Sequence, residues 1–192
     1  MKSKKKLRRE LIEWGLVLGI PLILYLTGTH TTVLGFIQRG VLWTGIFRPS
    51  ISIPAEEQVT ASYDFKLTDQ EGQRLDFEEF RGKTVFLNFW ATWCAPCIAE
   101  MPDIQNLYDK AGDKVEFVMI SVDNTADKTW KFVDKNGFDF PVYRMSSLIP
   151  KVFERQVIPT TYVISPEGKI VAERHGMAKY DTDEFREFLV GL

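Results

Sequence analysis

Two cysteines carry the clearest chemistry in this sequence. Cys94 and Cys97 are the only two in 192 residues, and two residues separate them in Trp93-Cys94-Ala95-Pro96-Cys97. The pair follows an apolar run over 84–90 and opens a segment with helical periodicity. On a first helical turn that spacing brings both sulfurs together, so a disulfide can close and reopen with little backbone movement. Cys94 then faces unpaired amide hydrogens and the positive end of the helix dipole, which stabilise a thiolate. Pro96 suits the first turn because it needs no amide partner there. A free thiol with a pKa of about 8.5 is only a few per cent ionised at neutral pH, whereas a pKa near ~7 makes it about half thiolate. These features assign Cys94 as nucleophile and Cys97, one turn deeper, as resolving thiol. A structural disulfide would gain little from so tight a loop. A zinc site would have to add carboxylates or a second chain to His30 and His175. Spacing alone leaves both alternatives open, with redox chemistry ahead.

The elements needed to position the pair surround it. Residues 84–90 (TVFLNFW) and 115–122 (VEFVMISV) are nearly continuous in β-branched and aromatic side chains, as expected of strands covered on both faces. Between them, residues 96–111 repeat apolar side chains at helical intervals through Ile98, Met101, Ile104, Leu107 and Tyr108. Strand, helix and strand therefore form a right-handed crossover. Phe86, Phe89 and Trp90 read as sheet and core packing. A hairpin is expected from 64–68 and 74–76, around a polar turn containing Gly72. A second helix spans 125–136 and ends at Gly137, and a short helical piece covers 148–155. Residues 160–164 and 169–174 flank Ser165-Pro166-Glu167-Gly168, a second hairpin. Asp181 opens the last helix, with Glu184 in a capping-box pattern and Phe185, Phe188 and Leu189 as its apolar stripe. The order predicts an α/β fold with a central mixed β-sheet flanked by helices.

Composition bounds what else the chain does. With 45% apolar and 26% charged residues, it holds one domain of ordinary size plus an appendage, which excludes disorder and a disulfide-dense miniprotein. Charge is uneven: residues 1–53 carry eight Lys/Arg against two Glu, and 54–192 carry sixteen against twenty-four acidic residues. The leader is thus +6 and the body −8. So acidic a body repels phosphate backbones, and nucleic-acid binding is set aside.

Lys2, Lys4, Lys5, Lys6, Arg8 and Arg9 precede an apolar run. Residues 11–28, at ~1.5 Å each, span roughly 27 Å, against a hydrocarbon core of about 30 Å. This predicts one transmembrane helix with a cytoplasmic N-terminus, by the positive-inside rule. The competing readings are a cleaved signal peptide, with Thr27-Gly28-Thr29 as a weak cleavage site, and a buried soluble helix. A second apolar stretch, 33–47, has Gln38 and Arg39 at its centre, where a charge costs about 2.5–3.5 kcal/mol, so it reads as interfacial or irregular. Residues 48–58 read as a linker. The domain plan is a basic cytoplasmic tail 1–10, an anchor 11–28, a juxtamembrane segment and linker 29–59, and a folded domain 60–192.

Residues 60–192 resemble the thioredoxin-fold family, specifically its membrane-anchored TlpA/ResA-like thiol-disulfide oxidoreductases. The residues that carry the resemblance are Asn88-Phe89-Trp90-Ala91-Thr92-Trp93-Cys94-Ala95-Pro96-Cys97, Glu100-Met101-Pro102 and Ile158-Pro159-Thr160-Thr161. It implies a thioredoxin-like fold with an N-terminal β-hairpin extension. It also implies a cis peptide bond before Pro159, which lies against the active disulfide, while Ile158 offers backbone hydrogen bonds to a substrate chain. Pro102 is expected to kink the active-site helix, because it lacks the amide that would pair with the carbonyl of Ile98. Trp93 is expected to cover the sulfurs and touch substrate, a core tryptophan being the ordinary alternative. Thioredoxins of the cytoplasm have a buried aspartate where this chain has Asn88, so that proton acceptor is missing. Glu100 matches a glutamate of the TlpA/ResA branch and is expected on helical surface near Cys97. There it would move protons to or from Cys97 and raise the thiol pKa values by like-charge repulsion. The plain alternative is a solvated helix glutamate. Ala95 is a second departure, at a position that influences redox poise. For His30 and His175, surface or packing roles are expected.

The expected function is that of a membrane-tethered, extracytoplasmic protein-disulfide reductase that uses no haem, nicotinamide or metal. The resemblance implies disulfide-containing protein substrates, such as apocytochrome c haem-site cysteines, and a membrane electron donor of the CcdA/DsbD type. The alternatives are a disulfide oxidant or isomerase, a thiol peroxidase on the same fold, and a Sco-like copper-binding chaperone.

Overall fold

The computed structural model describes residues 2–26, 40, 52–154 and 157–192. Among them seven strands form one sheet: β1 (Lys66–Thr68), β2 (Arg74–Asp76), β3 (Val85–Trp90), β4 (Glu116–Ser121), β5 (Val142–Met145), β6 (Thr160–Ile164) and β7 (Ile170–His175). Four helices accompany them: α1 (Lys2–Leu26), α2 (Ala95–Ala111), α3 (Ala126–Asn136) and α4 (Asp183–Val190). The strand order is β2-β1-β5-β4-β3-β6-β7. β3 pairs parallel with β4, and β4 with β5, while β6 runs antiparallel to β3. The sheet is therefore mixed, as the pattern of elements predicts.

Every residue of β3 is buried, because both faces of the sheet are covered. Side chains alternate along a strand, and β3 divides accordingly. Phe86 and Trp90 enter one apolar cluster, which contains Met101, Ile104 and Leu107 of α2 and Phe185 and Leu189 of α4. Val85, Leu87 and Phe89 enter a second cluster on the other face, with Phe65, Phe77, Phe153 and Tyr162. Asn88 shares the parity of Phe86 and Trp90 and so belongs to the face that α2 covers.

The expected strands and helices fall within one or two residues of their predicted bounds, with three differences. β5 was not anticipated: it is four residues long, follows Pro141, and has Val142 as its one buried residue, so it shows little apolar alternation. Yet β5 joins the β1–β2 hairpin to the sheet, through Leu67 opposite Met145 and Thr68 opposite Arg144. The helical piece expected over 148–155 is a single 3-10 turn, Lys151–Phe153, that buries Phe153. The last helix is capped by Thr182 rather than opened by Asp181. The Thr182 hydroxyl accepts the Phe185 amide at 3.2 Å, while the Asp181 carboxylate is engaged by Lys110 at 2.6 Å. α3 ends as predicted, with Gly137 in the left-handed region at φ 66°. The chain before β1 also lies along β7: the Ile53 amide donates to the Val171 carbonyl at 2.6 Å, and the Ile170 amide to the Val59 carbonyl at 2.9 Å.

α1 takes in the basic start and most of the apolar run that follows. Among the described residues no helix is long and apolar enough to cross a membrane. The expected span extends to Gly28, two residues past the end of α1. Thr27-Gly28-Thr29, His30, the apolar stretch 33–47 (Gly40 apart) and the first residues of the linker lie outside the described residues.

Phe77 anchors the second cluster, stacked on Phe65 at 4.2 Å and against Tyr63 at 5.4 Å, with no exposed surface. Phe77→Ala is expected to lower the unfolding free energy by about 3–5 kcal/mol, as large-to-small changes of buried aromatics do. Urea titration checks this, and a loss under ~1 kcal/mol would show that the cluster does not support the fold.

Candidate functional site

The chain leaves β3 at Trp90, turns through Ala91, Thr92 and Trp93, and enters α2 with Cys94 as its N-cap. The backbone at Cys94 is extended, and its sulfur accepts the Cys97 amide at 3.2 Å. Cys94 and Cys97 form a disulfide with an S–S distance of 2.05 Å. Cys97 is fully covered and Cys94 nearly so, whereas Trp93 beside them is 60% exposed and is not a core tryptophan. The Ile158–Pro159 peptide is cis, and the Ile158 carbonyl oxygen lies 3.7 Å from Cys94 Sγ. The fold thus gathers Trp93, both cysteines, Ile158 and Pro159 at one end of the sheet. Pro102 sits within α2, which continues past it to Ala111.

Glu100 does not sit on solvated helix surface. It is 1% exposed, because a residue three after Cys97 and four before Ile104 falls on the stripe that α2 turns toward the sheet. Its carboxylate meets two N–H donors: Asn88 Nδ2 at 3.0 Å from Oε1, and the Ala178 amide at 3.1 Å from Oε2. Asn88 stands directly opposite Thr161 across β3 and β6, and Thr161 opposite Arg174 across β6 and β7. A polar row therefore crosses an otherwise apolar face beneath α2. Asn88 Nδ2 also donates to Thr161 Oγ1 at 2.8 Å, and the Tyr180 hydroxyl donates to the same oxygen at 2.7 Å.

Burial pushes the Glu100 carboxyl up to about 8; the two N–H donors and Arg174 oppose the rise and Asp103 adds to it. Tyr180 is held well above the ordinary phenol value, first by burial and then by Glu100. Burial also raises Asp103, whose carboxylate accepts the Asp181 amide at 2.8 Å.

A second buried carboxylate holds the loop that delivers Cys94. Asp123, just beyond β4, accepts the Thr92 amide at 3.1 Å and the Thr92 hydroxyl at 2.8 Å, and Ser121 donates to it at 2.9 Å. Arg144 of β5 donates to the Asp123 carbonyl at 2.8 Å. The sequence reading missed Asp123, Thr161 and Tyr180 as functional neighbours. A lone amide in the run TVFLNFW signals that Asn88 needs buried partners, but nothing local points to Tyr180 or Asp123. His175 ends β7 with Nε2 2.9 Å from Glu173 and Nδ1 3.2 Å from the Thr160 hydroxyl. Among the described residues no group of three or more His, Cys, Asp or Glu could hold a metal ion.

Comparison with known proteins agrees with this geometry. Residues 60–173 match the AhpC/TSA family. The thiol-disulfide oxidoreductase ResA of Bacillus subtilis (strain 168) is 33% identical over 146 residues, which cover 71% of this chain and 82% of that protein. The ResA of Bacillus thuringiensis subsp. konkukian is 36% identical over 128 residues, covering 66% of this chain and 73% of the relative. Among solved structures, StoA from Bacillus subtilis superimposes with a TM-score of 0.55 at 25% identity, covering 65% of this chain and 94% of that one. A secreted disulfide oxidoreductase of Mycobacterium tuberculosis shares the fold, with a TM-score of 0.58 at 23% identity over 68% of this chain and 97% of the other.

The raised carboxyl makes stability depend on pH. Folded Glu100 keeps its proton up to about 8, whereas the unfolded chain releases it near the ordinary 4.5. Its contribution is therefore complete below 4.5 and declines as pH rises toward 8. In the disulfide form, the unfolding free energy of the native protein relative to Glu100→Gln is expected to fall with a single-proton slope across that window. A difference that stays flat with pH would contradict the raised carboxyl.

Proposed function

Since the chain belongs to the AhpC/TSA family of thioredoxin-fold proteins and is a protein thiol-disulfide oxidoreductase, we propose that it acts as a membrane-tethered reductase of protein disulfides outside the cytoplasm. The observation that carries the redox role is the Cys94–Cys97 disulfide at the mouth of α2 with the buried Glu100 carboxyl one turn further along. Tethering is supported by the six basic residues before the apolar run of α1, which favour an N-terminus held in the cytoplasm and a body carried across. The proposed arrangement is a tail 1–10, an anchor 11–28, a connecting segment 29–59 and a catalytic domain 60–192.

In the reducing direction, the Cys94 thiolate attacks one sulfur of the substrate disulfide. The substrate's second sulfur leaves as a thiolate and takes a proton from water. Cys97 gives its proton to the Glu100 carboxylate and attacks Cys94 Sγ, which breaks the mixed disulfide and releases the other substrate sulfur as a thiolate. Two electrons pass to the substrate, and the protein is left with its own disulfide. A carboxyl at about 8 suits this exchange, because a free thiol titrates at about 8.5 and proton transfer between them is nearly isoenergetic. Ile158 supplies a carbonyl beside Cys94 for an extended substrate chain, and Trp93 an exposed aromatic surface. A membrane thiol carrier of the CcdA/DsbD type would return two electrons by breaking the Cys94–Cys97 disulfide, the proton held on Glu100 passing back to Cys97, and cysteine pairs of apocytochrome c are the kind of substrate that fits. Tethering the protein beside such a donor raises their effective concentration.

Cys97→Ser leaves the mixed disulfide unresolved. In cells, this variant is expected to retain substrate proteins covalently on Cys94, released by dithiothreitol and absent from the Cys94→Ser, Cys97→Ser double variant. An empty trap would defeat the protein-reductase reading, and a reduction potential near the most oxidising thiol proteins, about −120 mV, would replace it with an oxidant. Rapid oxidation of the reduced pair by peroxide would favour a peroxidase, and stoichiometric copper retention a chaperone. A reporter fused after Leu192 is expected to be active only outside the cytoplasm.

A further inference from the structure

Both oxygens of Glu100 face hydrogen-bond donors: the Asn88 side-chain amide on one side and the Ala178 backbone amide on the other. That arrangement serves a carboxylate. A protonated carboxyl must also donate, and neither of these partners accepts. The Ala178 amide is fixed in the backbone, whereas the Asn88 side chain has an oxygen and an NH2 group of nearly equal size at its two ends. In the orientation observed, Asn88 Nδ2 donates to both Glu100 and Thr161, and Asn88 Oδ1 is buried without a partner. Thr161 Oγ1 accepts from both Asn88 and Tyr180.

Turning the amide over exchanges these roles. Oδ1 then occupies the place of Nδ2, where it accepts one hydrogen bond from protonated Glu100 and another from the Thr161 hydroxyl, which continues to accept from Tyr180. The observed orientation suits the ionised carboxyl, and the reversed one the neutral carboxyl. Either way one end of the amide stays unpaired, so reversal leaves no more of the amide unpaired than before.

We propose that Asn88 is a positioning residue whose side-chain amide reverses each time Glu100 gains or loses its proton, so that Glu100 is hydrogen-bonded in both states. This extends the proposed role of Glu100 as proton partner of Cys97 and rests on that reading for its part in turnover. One proton enters or leaves the carboxyl per half-cycle, and the amide moves no proton itself. Other charged and titratable groups bear on Glu100 from the elements around it: Asp103 on α2, Arg174 on β7, and Tyr180 in the chain before α4. Among the described residues none of these groups offers Glu100 a hydrogen-bond acceptor, which leaves the amide as the group able to change.

The test uses the full-length protein in its disulfide form, where no thiol titrates. Nuclear Overhauser contacts between the Asn88 side-chain NH2 protons and Thr161 are expected on the alkaline side of the Glu100 carboxyl midpoint and to be lost on the acid side. In Glu100→Gln the contacts are expected to be independent of pH. Contacts that persist on both sides of the midpoint would overturn the proposal. In a second arm, the Glu100 carboxyl carbon is titrated in Asn88→Leu. An amide that serves both states predicts a change in proton affinity of less than tenfold, and a rise of more than tenfold would show that the amide serves only the carboxylate. Should that variant fail to fold, the contacts in the native protein still decide. The proton-partner role of Glu100 fails separately, by thiol titrations of the reduced protein that are unchanged in Glu100→Gln.

Discussion

A carboxyl group sealed between a helix and a sheet is the constraint around which this protein is arranged. Burying a charge is costly unless donors replace the lost water, and Glu100 has two, one from a strand and one from the chain before the last helix. The outcome is a group poised between its two protonation states at ordinary pH rather than locked in one. A surface glutamate at the same helical position would stay ionised and could not take part in proton exchange with a thiol on comparable terms.

Holding that group requires the rest of the fold. β3 sits between β4 and β6, and its alternation sends one set of side chains to the aromatic cluster below and the other to the helices above. Only because that pattern is so apolar does the single amide at position 88 have a defined job. At the strand's far end, the Asp123 carboxylate holds Thr92 by both its amide and its hydroxyl. The three-residue turn into α2 is thereby tied to the end of β4, so the sulfur that opens the helix is presented on a fixed loop.

Much of this was legible in the sequence, for physical reasons that differ by element. The strands flanking the cysteines could be read because double burial leaves an unbroken apolar record, and α2 because its stripe repeats at helical intervals. β5 could not, since a four-residue strand with one buried side chain leaves almost no pattern. Cys94 and Cys97 stood out by their spacing, which put redox chemistry ahead of a zinc site or a structural disulfide without closing either alternative. Ile158 and Pro159, more than sixty residues further on, needed a resemblance to connect them, and the fold brings them to the same place. Glu100 was placed near Cys97 but on the wrong side of the helix. The clue lay in its spacing from Ile104, which makes it part of the inward stripe. Tyr180 and Asp123 escaped because their partners are distant in the chain, and a local pattern carries no trace of a hydrogen bond across the sheet.

The two outermost strands set a limit on how this molecule meets other polypeptides. One border is overlaid by its own chain, where the amides of Ile53 and Ile170 are already committed; the other is the three-residue β2, with charged Arg74 and Asp76 at its ends. Neither offers the long, bare row of backbone groups on which a foreign segment or a second copy could extend the sheet. Both borders of the sheet are thereby guarded against recruitment into aggregates of other chains.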